Sequence, residues 1–283
     1  MSNSEFDTGE KITWCPGCGN FGILNAVKHA LQQLGLPREK VVEVSGIGCH
    51  GKISDYVKVN SLHVIHGRVL PAATAIKLVN HELTVIGNAG DGDAFGIGLG
   101  HFAHAARRNI PITYLTHDNM VYGLTTGQTS PTSQPGFKTK TSPQGVFEEA
   151  INPIAQALAA NTSFVARGYV GDLKQLVELL KQALTWRGFS FIDILQPCVT
   201  FNRVNTYEFY QKRVYRLEEN DYDPTNIESA FKKSYEWSDK IPLGIIYKQE
   251  RPTYIEAFPQ LKQGALTFQP LKPSIKDMIE EYI

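Results

Sequence analysis

At 283 residues the chain is long enough for one large domain, or one domain with an extension. Hydrophobic residues make up 42% and charged residues 20%, the balance of a globular protein. Formal net charge is zero, which argues against a main partner that is nucleic acid, and no apolar run approaches the roughly 18–20 residues that span a bilayer.

The start of the chain, Met1 to Asp7, has no basic stretch and no apolar stretch of the kind a secretory signal carries, so a cytoplasmic protein is expected. Residues 20–35 place Ile23, Leu24, Val27, Ala30, Leu31 and Leu34 on one helical stripe. Val41–Ser45 is a β-branched run ended by Gly46, the pattern of a buried strand. Leu62–His66 reads as another strand and Ala72–Val79 as a helix. Leu83–Gly87 is a strand that runs into a glycine-rich turn, followed by a helix over Ala94–Arg107 and a strand over Ile112–Thr116. Gly123–Gly145 is rich in Thr, Ser, Pro, Gly and Gln and reads as a long loop, a feature that is usually functional inside a domain. A helix over Val146–Ala160, a strand over Phe164–Val170, a helix capped by Asp172 and running through Leu184, and a strand over Phe189–Leu195 complete the pattern. The alternation predicts an α/β fold with a doubly wound, mostly parallel sheet in residues 1–200. Residues 201–283 mix Tyr, Phe, Pro and charge with little periodicity, and read as an irregular extension that packs on the core or on a partner subunit.

Four cysteines interrupt this pattern: Cys15 and Cys18 in Trp-Cys-Pro-Gly-Cys-Gly, Cys49 in Gly-Ile-Gly-Cys-His-Gly-Lys, and Cys198 in Gln-Pro-Cys. In a reducing compartment disulfides are an unlikely use for them. Four thiolates suit a [4Fe–4S] cluster, and they also suit a structural zinc ion. A thioredoxin-like use of Cys15 and Cys18 would leave Cys49 and Cys198 without a role, and the pair precedes the first strand–helix unit.

The segment Val85-Ile-Gly-Asn-Ala-Gly-Asp-Gly-Asp-Ala-Phe-Gly joins a strand to a helix. Its glycines allow close backbone approach to an anion, and the helix start offers free N–H groups. Asp91 in its middle would repel a phosphate unless a hard cation such as Mg²⁺ lay between them. A second ligand should come from the end of a neighbouring strand, where Asp118-Asn-Met-Val-Tyr-Gly-Leu-Thr offers Asn119. The paired Gly-Asp-Gly and Asn resemble the thiamine diphosphate fingerprint, and that resemblance adds the backbone carbonyl of Val121 as a third Mg²⁺ ligand.

Taken with Gly46-Ile-Gly-Cys-His-Gly-Lys, His66-Gly-Arg, Asn119-Met-Val-Tyr-Gly-Leu-Thr, Gly127-Gln-Thr-Ser-Pro-Thr-Ser and Gln196-Pro-Cys, the chain resembles the β subunit of 2-oxoacid:ferredoxin oxidoreductases over residues 12–200. The resemblance implies that Cys15, Cys18, Cys49 and Cys198 hold one [4Fe–4S] cluster. It also implies that Ile47, Gly48, Cys49, His50 and His66 line the cofactor. Gly92 and Asp93 would meet the diphosphate through the helix start, and Gly123 and Leu124 would approach from the Asn119 loop. Lys52 is the candidate for the substrate carboxylate. The implied reaction is oxidative decarboxylation of a 2-oxoacid, pyruvate or 2-oxoglutarate, with coenzyme A, single electrons passing to ferredoxin. Only the diphosphate half of a thiamine site is found, so an α subunit should carry the aminopyrimidine half. Thr126 stands where relatives frequently have Lys, and Arg68 is either an anion ligand or a brace. The competing readings are a non-redox thiamine decarboxylase or synthase and a zinc-stabilised binding module.

Overall fold

The computed structural model describes residues 5–269 and 275–280. Its strands are β1 Val41–Ser45, β2 Asn60–His63, β3 Thr84–Gly90, β4 Thr113–Asp118, β5 Val121–Tyr122, β6 Gln128–Thr129, β7 Phe164–Tyr169, β8 Ser190–Leu195, β9 Val214–Arg216 and β10 Ile241–Lys248. Its helices are α1 Asn20–Gln33, α2 Ile53–Tyr56, α3 Val69–Val79, α4 Leu99–Arg108, α5 Pro153–Ala159, α6 Leu173–Thr185, α7 Tyr207–Gln211, α8 Ile227–Ser234 and α9 Ile275–Glu280. Eight strands form one sheet in the order β2-β1-β3-β4-β8-β7-β10-β9. The run from β2 to β7 is parallel throughout, and β10 pairs antiparallel with β7.

Burial on both faces explains why apolar residues fall on both sides of the central strands rather than alternating, with polar groups such as Glu43, Asn88, Arg167 and Asp193 buried among them. On one face Ile192 and Ile194 of β8, Ala166 of β7 and Leu115 of β4 pack with Leu24, Val27 and Leu31 of α1 and Leu176 and Leu180 of α6. On the other, Phe191, Val165 and Tyr114 pack with Phe102 of α4, Ala73 of α3 and Leu158 of α5. Phe102 lies edge-on to Phe191 at 5.0 Å between ring centroids.

Several boundaries differ from the sequence reading, each for a local reason. The helix expected over Val146–Ala160 is confined to Pro153–Ala159. Asn152 caps it by accepting from the Ala155 N–H, and Pro153 occupies the first turn, where its missing N–H costs nothing. The strand expected over Leu62–His66 lies at Asn60–His63, on the exposed sheet edge. The helix expected from Ala94 begins as a π-turn over Asp93–Ile97 and becomes α-helical at Leu99, a distortion that often marks a functional site. Residues beyond 200 contribute β9 and β10 to the sheet itself. Pro242 disguised β10, and it is tolerated because it falls where β10 pairs with β9 alone, before the β7 register begins at Gly244.

The chain steps from β1 outward to β2 and then back past β1 to β3. At such a switch point the loops leaving the carboxyl ends of neighbouring strands diverge and open a crevice. Four strands end at this edge. β1 leads into Gly46–Lys52, β3 into Asp91–Asp93, β4 into Asn119 and β8 into Gln196–Cys198. The sequence distance between the cysteines and the Asp91 loop is thereby erased.

Candidate active site

A cavity of about 250 Å³ occupies the crevice. It is lined by Ile47, Gly48, Cys49, His50, His66, Gly92, Asp93, Gly123 and Leu124, every residue expected beside the cofactor, and by Asp91, Asn119 and Val121, the expected cation ligands. Tyr122, which the sequence reading left without a role, also lines it. Its hydroxyl donates to the Gly92 carbonyl at 3.1 Å, and its ring occupies the space a side chain on Gly92 would need.

Asp91 is buried at 1% exposure, and Thr132 Oγ1 lies 2.9 Å from both Asp91 Oδ2 and Asp118 Oδ1. A hydroxyl carries one hydrogen, so it can donate to one of these carboxyls only. Burial raises the pKa of Asp91, with bonds from Ser130 and Thr132 opposing. Burial, then the charges of Asp193 and Asp91, push Asp118 well above the ordinary carboxyl range. Asp91, Asp118 and Asp193 form a cluster of buried acids in which, among the described residues, only Asp193 is paired with a buried guanidinium, Arg167 Nε lying 3.3 Å from its Oδ2. This excess of buried acid suits a divalent cation at Asp91. The adjoining turn is tightly held. Asn119 Oδ1 accepts from the Val121 N–H at 3.1 Å, Met120 between them is left-handed at φ 57°, and Ser133 Oγ donates to the Met120 carbonyl at 2.6 Å. Thr132 and Ser133 of the long loop therefore support Asp91 and the Asn119 turn from behind, a use for its hydroxyl-rich composition.

The Asp93 carboxylate is engaged by the Gly67 turn. The Gly67 N–H donates to Oδ1 at 2.6 Å, His66 Nδ1 lies 2.9 Å from the same oxygen, and His50 Nε2 lies 3.7 Å from Oδ2. What Asp93 offers an anion is its backbone at the helix start. Arg68 donates to the Gly67 carbonyl at 3.2 Å and so braces this turn.

A second cavity, also about 250 Å³, is lined by all four cysteines together with Thr13, Trp14, Lys52, Thr126 and Gln196. Cys49, Asn119, Gly123 and Leu124 line both cavities and form their common wall. The wall is thin at Gly123. A Cβ there would stand 3.7 Å from the sulfurs of both Cys49 and Cys198. Cys15 is exposed, Cys18 is buried, and the other two are half-buried. Burial pushes the Cys18 thiol up to about 11, the other three cysteines add to the rise, and the Asn20 backbone N–H at the start of α1 opposes it. Burial and Cys198 also raise Cys49, with Lys52 opposing. Thiols that disfavour ionisation without a cation fit a cationic metal centre, which would hold them as thiolates. Among the described residues no three His, Cys, Asp or Glu side chains converge closely enough to grip a single ion. The sulfurs ring a cavity instead. Trp14 supports the ring by donating to the Cys49 carbonyl at 2.6 Å.

Lys52 lines the sulfur cavity and not the cofactor cavity, with Nζ donating to Thr13 Oγ1 at 2.9 Å. Thr126 lies on the same side at φ 74°, an uncommon conformation for a β-branched residue.

Residues 46–194 match the thiamine pyrophosphate enzyme C-terminal TPP-binding domain, and residues 198–263 match the C-terminal family of the pyruvate ferredoxin oxidoreductase β subunit. Fold and site together therefore define a subunit of a thiamine diphosphate-dependent enzyme. The chain is 48% identical over 276 residues to the 2-oxoacid:ferredoxin oxidoreductase subunit β of a Sulfolobus species, covering 93% of this chain and 90% of that protein. It is 34% identical to the 2-oxoglutarate synthase subunit KorB of Methanocaldococcus jannaschii, over 88% of this chain and 92% of that one. The 2-oxoglutarate:ferredoxin oxidoreductase of Magnetococcus marinus, solved with 2-oxoglutarate, coenzyme A and succinyl-CoA bound, superposes with a TM-score of 0.92 at 35% identity, covering 100% of this chain and 97% of that one. The chain belongs to the 2-oxoacid:ferredoxin oxidoreductase β-subunit family. Among the described residues no helix is long and apolar enough to cross a membrane.

Proposed function

We propose that this chain is the β subunit of a cytoplasmic hetero-oligomer that oxidatively decarboxylates a 2-oxoacid, pyruvate and/or 2-oxoglutarate, with coenzyme A to an acyl-CoA and CO₂. Electrons leave one at a time through one [4Fe–4S] cluster to ferredoxin. The observation that carries this reading is the common wall, because a cofactor cavity and a four-sulfur cavity share Cys49, Asn119, Gly123 and Leu124. When bound, thiamine diphosphate supplies an electron sink for decarboxylation, and a [4Fe–4S] cluster supplies one-electron redox capacity.

The chain's own residues divide the work. The Asp91 carboxylate, the Asn119 side-chain oxygen and the Val121 carbonyl would hold Mg²⁺ against the diphosphate. The backbone at Gly92 and Asp93 offers N–H groups to the same anion at a helix start. Cys15, Cys18, Cys49 and Cys198 would hold the cluster. Asp93 orients His66 at the cofactor cavity, where His50 also lies. Lys52 is proposed as the cation for the substrate carboxylate, a role in which it exchanges its bond to Thr13 for the substrate. The aminopyrimidine half and its activating carboxylate are assigned to an α subunit. The exposed apolar rim of Ile47, Ile65, Ile97 and Leu124, which are 40%, 72%, 57% and 47% exposed, suits burial against that partner.

The test is anaerobic purification of the native complex, metal and sulfide analysis, and assay of several 2-oxoacids with coenzyme A and ferredoxin or a viologen dye. Iron and sulfide with substrate-dependent dye reduction are expected. Zinc without iron, or CO₂ release without acceptor reduction, would overturn the redox reading.

A further inference from the structure

Gln196 is 1% exposed and lies between the end of β8 and Cys198. Its amide reaches both centres. Nε2 donates to Cys18 Sγ at 3.4 Å and to the Pro197 carbonyl at 3.1 Å. Oε1 accepts from Asn119 Nδ2 at 3.0 Å. The two amide orientations are locked by backbone groups at the ends of this chain of bonds. The Pro197 carbonyl can only accept, which makes its neighbour the nitrogen of Gln196. The Val121 N–H can only donate, and it bonds Asn119 Oδ1 at 3.1 Å. Asn119 is therefore held with its nitrogen engaged by Gln196, leaving its oxygen as the atom available to a cation.

Resting on the cation and cluster assignments above, we propose that Gln196 is a positioning residue that couples the two centres. One arm fixes the Asn119 oxygen as a cation ligand. The other donates an N–H to a cluster sulfur, where it stabilises negative charge and so favours the reduced cluster. A purely structural Gln196 would need neither arm, because its backbone N–H already secures the strand end by donating to the Asp118 carbonyl at 2.9 Å.

Two variants separate the arms in the anaerobically purified complex. Gln196→Leu removes both. Gln196→Glu keeps an oxygen for Asn119 Nδ2 and removes the donor at Cys18, but it adds a charge that itself lowers the midpoint, so it tests the Mg²⁺ arm and the neutral variant tests the cluster arm. Two readouts are taken: the Mg²⁺ concentration needed for thiamine diphosphate retention, and the cluster midpoint potential by titration followed with electron paramagnetic resonance. For Gln196→Leu the Mg²⁺ requirement should rise about fivefold, the loss of one hydrogen bond, and the midpoint should become more negative. For Gln196→Glu the Mg²⁺ requirement should stay within about twofold of the unmodified complex. An unchanged midpoint in Gln196→Leu, or an equal Mg²⁺ shift in both variants, would overturn the coupling. If Gln196→Leu fails to assemble, Gln196→Met, which also lacks both arms and adds no charge, takes its place. Asn119→Ala and Cys18→Ser are run alongside. If they leave cofactor retention and iron content intact, the underlying site assignments fail, and the coupling falls with them.

Discussion

Glu43 lies in the middle of β1 at 1% exposure. Its Oε1 accepts from Asn88 Nδ2 at 3.0 Å, and Oε2 has no hydrogen-bond partner among the described residues. Burial is the main cause that pushes its pKa up from 4.5 to about 8, with Asp55 adding and the Asn88 bond opposing. Between these two values the folded state holds a proton that the unfolded chain has released. Stability from this residue is therefore undiminished below pH 4.5 and is lost as pH rises toward about 8. The loss is about 1.4 kcal/mol per pH unit, or about 3 kcal/mol by neutral pH. Glu43→Gln keeps the shape and an acceptor for Asn88 and cannot ionise. A buried amide without a partner costs about 1–3 kcal/mol, but protonated Glu43 carries a similar orphan donor, so that cost largely cancels. The variant should be nearly as stable as the parent near about pH 5 and more stable by about 2–3 kcal/mol near neutrality. Urea unfolding followed by tryptophan fluorescence at several pH values in this range reads the difference. A stability difference that stays constant with pH, or that favours the parent at the alkaline end, would refute the assignment of a buried, proton-holding carboxyl.

Three further outcomes follow from the site. Asp91→Ala and Asn119→Ala should each abolish thiamine diphosphate retention while leaving iron and sulfide in place; full cofactor occupancy in both would remove the cation assignment. Thr132→Val deletes the hydroxyl between Asp91 and Asp118 and should destabilise by about 1–3 kcal/mol, with Thr132→Ser restoring most of the loss in a thermal melt calibrated against urea unfolding. Gly123→Leu drives a branched side chain toward the sulfurs of Cys49 and Cys198, so iron content should fall, whereas Gly123→Ala, whose Cβ sits at ordinary contact distance, should keep it.

Local chemistry made much of this protein legible. The β-branched and apolar residues at Val41–Ser45 and Phe189–Leu195 identify strands covered on both faces, although Glu43 and Asp193 interrupt the two runs and are buried with them. Gly-Asp-Gly at a strand end and Asn119 after the next strand raise the expectation of an anion site with a hard cation, because each lies at the end of a neighbouring strand and together they match a thiamine diphosphate pattern. Other features depended on contacts that no local pattern records. Asn152-Pro153 overrode an apolar helical pattern, and Pro242 concealed a sheet strand. The locations of Lys52, on the sulfur side of the wall, and of Gln196, between the two centres, exist only once β1, β4 and β8 lie side by side. Sequence by itself determined the layered fold and the kinds of ligand group, because periodicity and side-chain chemistry are local properties. Tertiary structure alone decided that a sulfur-lined cavity and a cofactor cavity share a wall, because that depends on strand order, which brings residues as distant as Cys18 and Cys198 to one edge of the sheet.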